Sequence, residues 1–150
     1  MLFENNKLKV NCASLKHKIP SYGYRVSEKD KPGKFDIKKA ESMKIMPGPI
    51  YSELQLGKKV TLPDGRSFNG KDFCGPPRKG ESFAYCTDTI FSKSAVSLSK
   101  NADLLVHEST FSEEDESMAY EKLHSTTIMA AKTALLSNTC LLYTSDAADD

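Results

Sequence analysis

Two histidine-bearing tetrads, His107-Glu108-Ser109-Thr110 and His124-Ser125-Thr126-Thr127, stand where an apolar run stops and where a new helical period starts. Imidazole and carboxylate at such junctions can form an acid–base pair, because histidine changes charge near neutral pH and a carboxylate can hold its ring. Asp88 closes a second run, and His17 is the remaining histidine of the chain. Taken singly, each has a plainer reading. An aspartate after a strand is more often a turn residue or helix cap than a ligand. His107 continues the apolar run Leu104-Leu105-Val106 and reads as a packed, hydrogen-bonded histidine, whereas His124 can simply cap a helix. Only their combination points to chemistry.

The flanking pattern says what must position them. Ser82 to Cys86 sets Phe83 and Tyr85 against Ala84 and Cys86, the alternation of a strand, and stops at Thr87-Asp88-Thr89. Ser92 can cap a short helix through about Lys100, and the run from Leu104 then reads as a buried parallel strand. A strand–helix–strand crossover returns the chain in the same direction, which brings Asp88 and Glu108 to one rim. Ser112 with Glu113, Glu114 and Asp115 suits the start of a helix to about Lys122, followed directly by His124. Ser125 or Thr126 can cap a last helix, with Ile128, Ala131 and Leu135 at helical spacing on its apolar face.

Residues 29–80 differ from the rest. They hold seven of the eight glycines and six of the seven prolines, which argues for a turn-rich insertion outside the main sheet. They also carry 12 Lys and Arg against 6 Asp and Glu, a net of +6, while the remainder has 9 against 14, a net of −5. Segregated positive charge attracts phosphate backbones through counterion release without reading sequence. The plainer alternative is a set of solubilising lysines. Within the insertion, Asp36 to Met43 is expected as a short helix with Ile37, Ala40 and Met43 on one face. Lys58–Leu62 and Ser67–Phe68 are expected to pair about Pro63-Asp64-Gly65, giving a small, mobile lobe with little core.

Composition sets outer bounds. A chain of 150 residues with 39% hydrophobic and 27% charged residues is ordinary for one globular domain, with no membrane span and no leader pattern. Cysteines 12, 74, 86 and 140 form no Cys-x-x-Cys pair, which argues against a zinc ribbon or a thioredoxin-type motif and for reduced, structural thiols.

Several segments in order resemble one family. Ser14 to Val26, with His17 before a strand in which Gly23 lies between tyrosines, is similar to the second half of the ribonuclease Z family. Met46-Pro47-Gly48-Pro49-Ile50-Tyr51 and Val60 to Arg66 resemble the two halves of that family's arm. Asp88-Thr89, His-Glu-Ser-Thr and His-Ser-Thr follow, so the similarity runs over roughly residues 3–139.

The resemblance implies an α/β (α+β) fold, the second half of a metallo-β-lactamase αββα sandwich with an inserted, protruding basic arm. Core strands are expected over residues 1–28, the arm over 29–80 and the second part of the core over 81–139. It implies an intracellular, most simply cytoplasmic, endoribonuclease that removes 3′ trailers from precursor tRNA with two zinc ions, other divalent metals being possible, and that works as a homodimer. His17 and Asp88 match metal ligands, and Glu108 and His124 match the pair that delivers a proton. Lys38, Lys39, Gly48, Pro49, Lys58 and Lys59 fall in the RNA-gripping arm. The alternatives are a non-catalytic RNA-binding relative and another phosphodiesterase of the same fold.

Departures from the family pattern sharpen the expectations. His-x-His-x-Asp-His is absent, so the chain alone should hold no pair of metals and be inactive. Thr87 precedes Asp88 where the family usually has glycine, placing a β-branched residue at a position of glycine-type backbone. From about Cys140 the sequence reads as a non-native tail that supplies no further strand.

Overall fold

The computed structural model describes residues 1–145, so residues 146–150, the end of the suspected tail, lie outside the described part. In chain order the elements are β1 (Phe3–Glu4), β2 (Leu8–Ser14), β3 (Tyr22–Glu28), α1 (Ile37–Ser42), α2 (Pro49–Gln55), β4 (Lys59–Thr61) and β5 (Ser67–Asn69). There follow β6 (Ser82–Cys86), α3 (Lys93–Leu98), β7 (Leu104–Glu108), α4 (Glu116–Lys122), α5 (Thr127–Ser137) and β8 (Leu141–Ser145). They fall into two compact units, residues 1–29 with 81 onward, and residues 30–80.

The first unit is built on a six-stranded sheet in the order β1-β2-β3-β6-β7-β8. β6 and β7 pair in parallel, with Cys86 opposite His107, and α3 is the crossover between them. Ser92 caps α3 by accepting from the Ala95 amide. Leu15, Ala84, Cys86, Ala95, Leu98, Ala102 and Leu105 bury together under the helices. Each leucine there stabilises the fold by roughly 1.5–3 kcal/mol. The glycine between two tyrosines has a packing cause: a Cβ on Gly23 would lie 2.8 Å from the Leu98 side chain. Arg25, one turn of the pleat further on, donates to the Leu98 and Lys100 carbonyls and so closes the C-terminal end of α3.

The opposite face of this sheet is open. Tyr24 lies across from Tyr85, Val26 from Phe83, and Phe83 from Leu104, and the three aromatics are exposed despite their apolar surface.

Several expectations need correction. The apolar residues of α5 do not face the core: Ile128 is 56% and Leu135 81% exposed, and Ala131 is exposed too. Met129, Ala130, Thr133 and Ser137 are buried instead, because small side chains let the helix sit close to the sheet; of the two expected caps, Thr126 is the one that accepts from the Met129 amide. The helix expected from Ser112 is a 3₁₀ turn (Glu113–Asp115) followed by α4, and the Ser112 hydroxyl binds the Asp115 carboxylate instead of a backbone amide. Leu141–Ser145 does supply a strand, parallel to β7. The open edge of β7 offers unpaired amides and carbonyls, and Leu-Leu-Tyr-Thr is β-prone enough to take them, although Leu141 and Tyr143 stay exposed.

The second unit has a core of its own. Ala40, Ile45, Leu54 and Phe73 are buried, with Phe35, Tyr51, Val60 and Phe68 packed around them. The expectation of a lobe with little core was therefore wrong, because α2 supplies Leu54 and Tyr51 and a 3₁₀ turn (Gly70–Phe73) supplies Phe73. In α1 only Ala40 of the expected face is buried, and Ile37 and Met43 are exposed. β4 and β5 pair as a hairpin, and Gly65 at its tip has a φ of 85°.

Candidate active site

The parallel pairing of β6 and β7 ends with Asp88 and Glu108 at the same rim. Asp88 adopts a left-handed backbone, φ 49°, whereas Thr87 has no positive φ. The strained residue is thus the aspartate, a type that tolerates this conformation, and the β-branched Thr87 is spared. Immediately after it, the buried Thr89 fastens the loop to the segment before His17. Its hydroxyl accepts from the Lys16 amide at 3.1 Å, and the Ile90 amide donates to the Lys16 carbonyl at 3.0 Å.

Glu108 is the most heavily engaged side chain of the site. It is 1% exposed, and four donors meet its carboxylate. Oε1 accepts from the Thr89 amide at 2.6 Å and from His124 Nδ1 at 2.8 Å. Oε2 accepts from the Thr110 hydroxyl at 2.6 Å and the Ser125 amide at 3.1 Å. A buried charge is tolerable only when its lone pairs are met in this way. The arrangement suits an ionised, acceptor-only carboxylate. Ser125 adds a further bond from its hydroxyl to the Thr89 carbonyl at 2.6 Å.

His124 follows Leu123, the left-handed residue that ends α4. With Nδ1–H given to Glu108, its Nε2 is left for other work. His17 stands beside it, ring centroids 4.7 Å apart, and Nδ1 of His17 contacts the Leu123 carbonyl at 3.2 Å. Phe111 lies on another side of His124 at 6.4 Å, and its backbone is bonded to Ser125 and Thr127. His17, Asp88, Glu108 and His124 therefore belong to one hydrogen-bonded cluster of loops. Sequence reading singled out these four but missed Thr89 as a fastener and Phe111 as a wall. Neither carries a compositional signal, since a buried threonine hydroxyl is recognisable only from what it touches.

His107 is fully buried, as its place in the apolar run suggested. Nδ1 donates to the Glu108 carbonyl at 2.8 Å, Nε2 finds no hydrogen-bond partner among the described residues, and burial pushes its pKa down. Burial likewise pushes the Cys86 thiol up to about 11, so it stays a thiol.

For metal, the donors present are chemically suitable but few. A histidine with one ring nitrogen held by a carbonyl presents the other in a fixed direction, the usual arrangement of a zinc ligand. Asp88 offers a carboxylate at the same rim. Zinc takes four ligands, three of them from protein even in open sites. Among the described residues no group of three His, Cys, Asp or Glu is placed to hold an ion. The chain supplies part of a donor set.

In the second unit, Lys38, Lys58 and Lys59 are exposed, as are Gly48 and Pro49 at the start of α2. Lys39 is not free: its ammonium donates to the Asp72 carbonyl at 2.6 Å and lies over the Phe73 ring. A Cβ built on Gly48 meets nothing within 4 Å, so the unit's own packing does not call for glycine there.

No protein-family profile matches the chain. It is 88% identical over 139 residues to a ribonuclease Z of Prochlorococcus marinus strain MIT 9312, a match covering 93% of this chain and 45% of that protein. A ribonuclease Z of strain CCMP1986 is 84% identical over 138 residues, covering 92% and 44%, and one of strain NATL2A is 56% identical over the same shares. The chain thus spans under half the length of these curated relatives. Among solved structures, human tRNase Z, short form, superposes with a TM-score of 0.57 at 24% identity, covering 97% of this chain and 38% of that one. The metallo-β-lactamase fold protein YhfI of Bacillus subtilis superposes with a TM-score of 0.53 at 12% identity, covering 95% and 38%. The mixed α/β architecture is accordingly that of the metallo-β-lactamase fold, and the chain belongs to the ribonuclease Z family.

Proposed function

We propose that this chain carries the proton-delivering and RNA-gripping part of a zinc-dependent endoribonuclease that removes the 3′ trailer of precursor tRNA in the cytoplasm, working as a homodimer once joined to the remainder of the protein. The observation that carries the reading is the His124–Glu108 pair at 2.8 Å, with every lone pair of the buried carboxylate occupied. The open aromatic face of the sheet, lined by Tyr24, Phe83 and Tyr85, supports a second sheet packing there. By itself the chain should not cleave, because among the described residues no group of three His, Cys, Asp or Glu is placed to hold an ion.

When bound, zinc supplies charge stabilisation at the phosphoryl oxygens and an acidified water. The chain's own task is the leaving group. As the P–O3′ bond breaks and its electron pair goes to O3′, Nε2–H of His124 transfers its proton to that oxygen. Nδ1–H remains on Glu108, which holds the ring in place and stabilises its charged form before transfer. His17 and Asp88 would hold metal, and the exposed Lys38, Lys58 and Lys59, with Lys39, Gly48 and Pro49, belong to the RNA-contacting surface of residues 29–80.

The test is leaving-group rescue. With this chain joined to the rest of the strain MIT 9312 protein, His124→Ala should slow cleavage of precursor tRNA by about 10²–10⁴-fold. It should slow a substrate with sulfur in place of the scissile 3′ oxygen far less, because a thiolate leaves without a proton. Equal losses on both substrates reject the assignment. A second reading, a relative that binds RNA without cutting it, rests on the exposed Lys38, Lys58 and Lys59 alone. Absence of chelator-sensitive cleavage by the joined protein, with RNA binding intact, would select that reading.

A further inference from the structure

Thr89 touches every part of the site and has no catalytic chemistry of its own. It is fully buried. Its hydroxyl accepts from the Lys16 amide at 3.1 Å and donates to the Ile90 carbonyl at 2.8 Å. Its amide donates to Glu108 at 2.6 Å, and its carbonyl accepts from the Ser125 hydroxyl at 2.6 Å. Two of these bonds lead to neighbours of working residues, since Lys16 precedes His17 and Ser125 follows His124, a third reaches Glu108 directly, and Thr89 itself follows Asp88.

We infer that Thr89 is a positioning residue whose hydroxyl sets the spacing of the two metal-binding side chains, His17 and Asp88; this rests on the reading of those two as ligands. The physical reason is a difference in anchoring. Asp88 is held from within its own loop, because its neighbour's amide is tied to the Glu108 carboxylate at the end of β7. His17 comes from another loop, after β2. Its side chain meets a helix-end carbonyl at 3.2 Å and the edge of the His124 ring at 4.7 Å between centroids, contacts that fix the ring but not the backbone that carries it. Two reciprocal bonds between Lys16 and residues 89–90 tie the backbone next to His17 to the Asp88 loop, and the Ser21 hydroxyl adds a bond to the Thr87 carbonyl at 3.1 Å further along the same loop. Of the bonds made by Lys16, the one to the threonine hydroxyl can be removed by substitution. Its loss also leaves the Lys16 amide without that acceptor, so the segment has cause to shift.

A zinc site tolerates such a shift poorly, and removal of outer partners of ligands typically weakens metal binding ten- to a hundredfold, on the order of one to two decades. Packing alone predicts a different outcome. Thr89→Val keeps the shape and removes the hydroxyl, while Thr89→Ser keeps the hydroxyl and leaves a small void.

The experiment uses this chain joined to the rest of the strain MIT 9312 ribonuclease Z, with zinc affinity read by competition with a chromophoric chelator and thermal unfolding read alongside. Thr89→Val is expected to lose roughly ten- to a hundredfold in zinc affinity. Thr89→Ser should keep it within about threefold while melting lower than the parent. Ser125→Ala, which touches neither ligand, should shift zinc affinity in the same direction as Thr89→Val. Should the valine variant misfold, the serine and alanine variants still decide. The inference is overturned if valine binds zinc like the parent, if serine falls as far as valine, or if Ser125→Ala leaves affinity untouched. Asp88→Ala separates the two levels: retained zinc there defeats the ligand reading itself, whereas lost zinc there with unchanged zinc in Thr89→Val defeats only the role of Thr89.

Discussion

At the scale of single residues, the site is organised by one buried carboxylate. Four donors converge on Glu108 from three loops, so it joins the Asp88 loop to the His124 loop as much as it partners the imidazole. That dual duty gives Glu108→Gln an outcome different from a simple loss of charge. A carboxamide has one acceptor oxygen, so two of the four donors must face its NH₂ group in either orientation. The Thr110 hydroxyl or the imidazole can turn acceptor there, but the backbone amide of Ser125 or Thr89 cannot, and one buried donor left unmet costs about 1–3 kcal/mol. The variant should therefore unfold at lower urea, followed by far-UV circular dichroism, as well as cleave more slowly. A stability loss under about 1 kcal/mol would mean that the carboxylate serves the histidine alone. The four catalytic and ligand candidates were legible in the sequence because their types are chemically loaded and sit at element ends. Thr89, Ser125 and Thr110 were not, since a hydroxyl or backbone amide reveals its role only when folding sets a partner opposite it.

At the scale of elements, the crossover from β6 through α3 to β7 was readable from alternation, a serine cap and an apolar run, and these are local signals. The buried face of α5 was not readable. Periodicity marks Ile128, Ala131 and Leu135 as inward, yet the helix turns Ala130, Thr133 and Ser137 to the sheet and leaves the larger side chains out. Close approach of helix to sheet favours small residues, and periodicity carries no information about approach distance. β7 adds a pH-dependent element. Burial lowers the pKa of His107, so the folded protein resists a proton that the unfolded chain accepts below its ordinary value of about 6.5. Stability from this group is thus complete above about pH 6.5 and drains as pH falls towards the lowered folded value. His107→Asn removes the titration. Parent and variant should accordingly differ most in unfolding free energy at pH 7.5 and converge as pH is lowered to 5. A gap that stays constant across that range would show that His107 titrates alike in both states.

At the scale of the whole molecule, charge and fold are divided between the same two parts. Residues 29–80 carry the net positive charge, and residues 30–80 form a unit with a buried cluster around Leu54 and Phe73. Composition disclosed the division, because glycine, proline and lysine concentrate there. The core was hidden, because its contributors lie on separate short elements that no single period connects. Lys31 and Arg78 exchange backbone hydrogen bonds at 2.8 and 3.0 Å, so the ends of the segment lie side by side and a short turn can replace what lies between them. Removing residues 31–77 from the joined protein therefore separates two properties that a point substitution would mix. The proposed hydrolytic site keeps His17, Asp88, Glu108 and His124, while most of the basic surface is lost. Precursor tRNA should bind far more weakly, and its binding should lose most of its dependence on salt, since each lysine–phosphate contact contributes a slope of about 1 in the logarithmic salt plot. Hydrolysis of bis(p-nitrophenyl) phosphate, which has no polynucleotide backbone for those lysines to hold, should persist within a few-fold. Equal loss of both activities would place the insertion in the architecture of the hydrolytic site and remove the ground for calling it an RNA-gripping part.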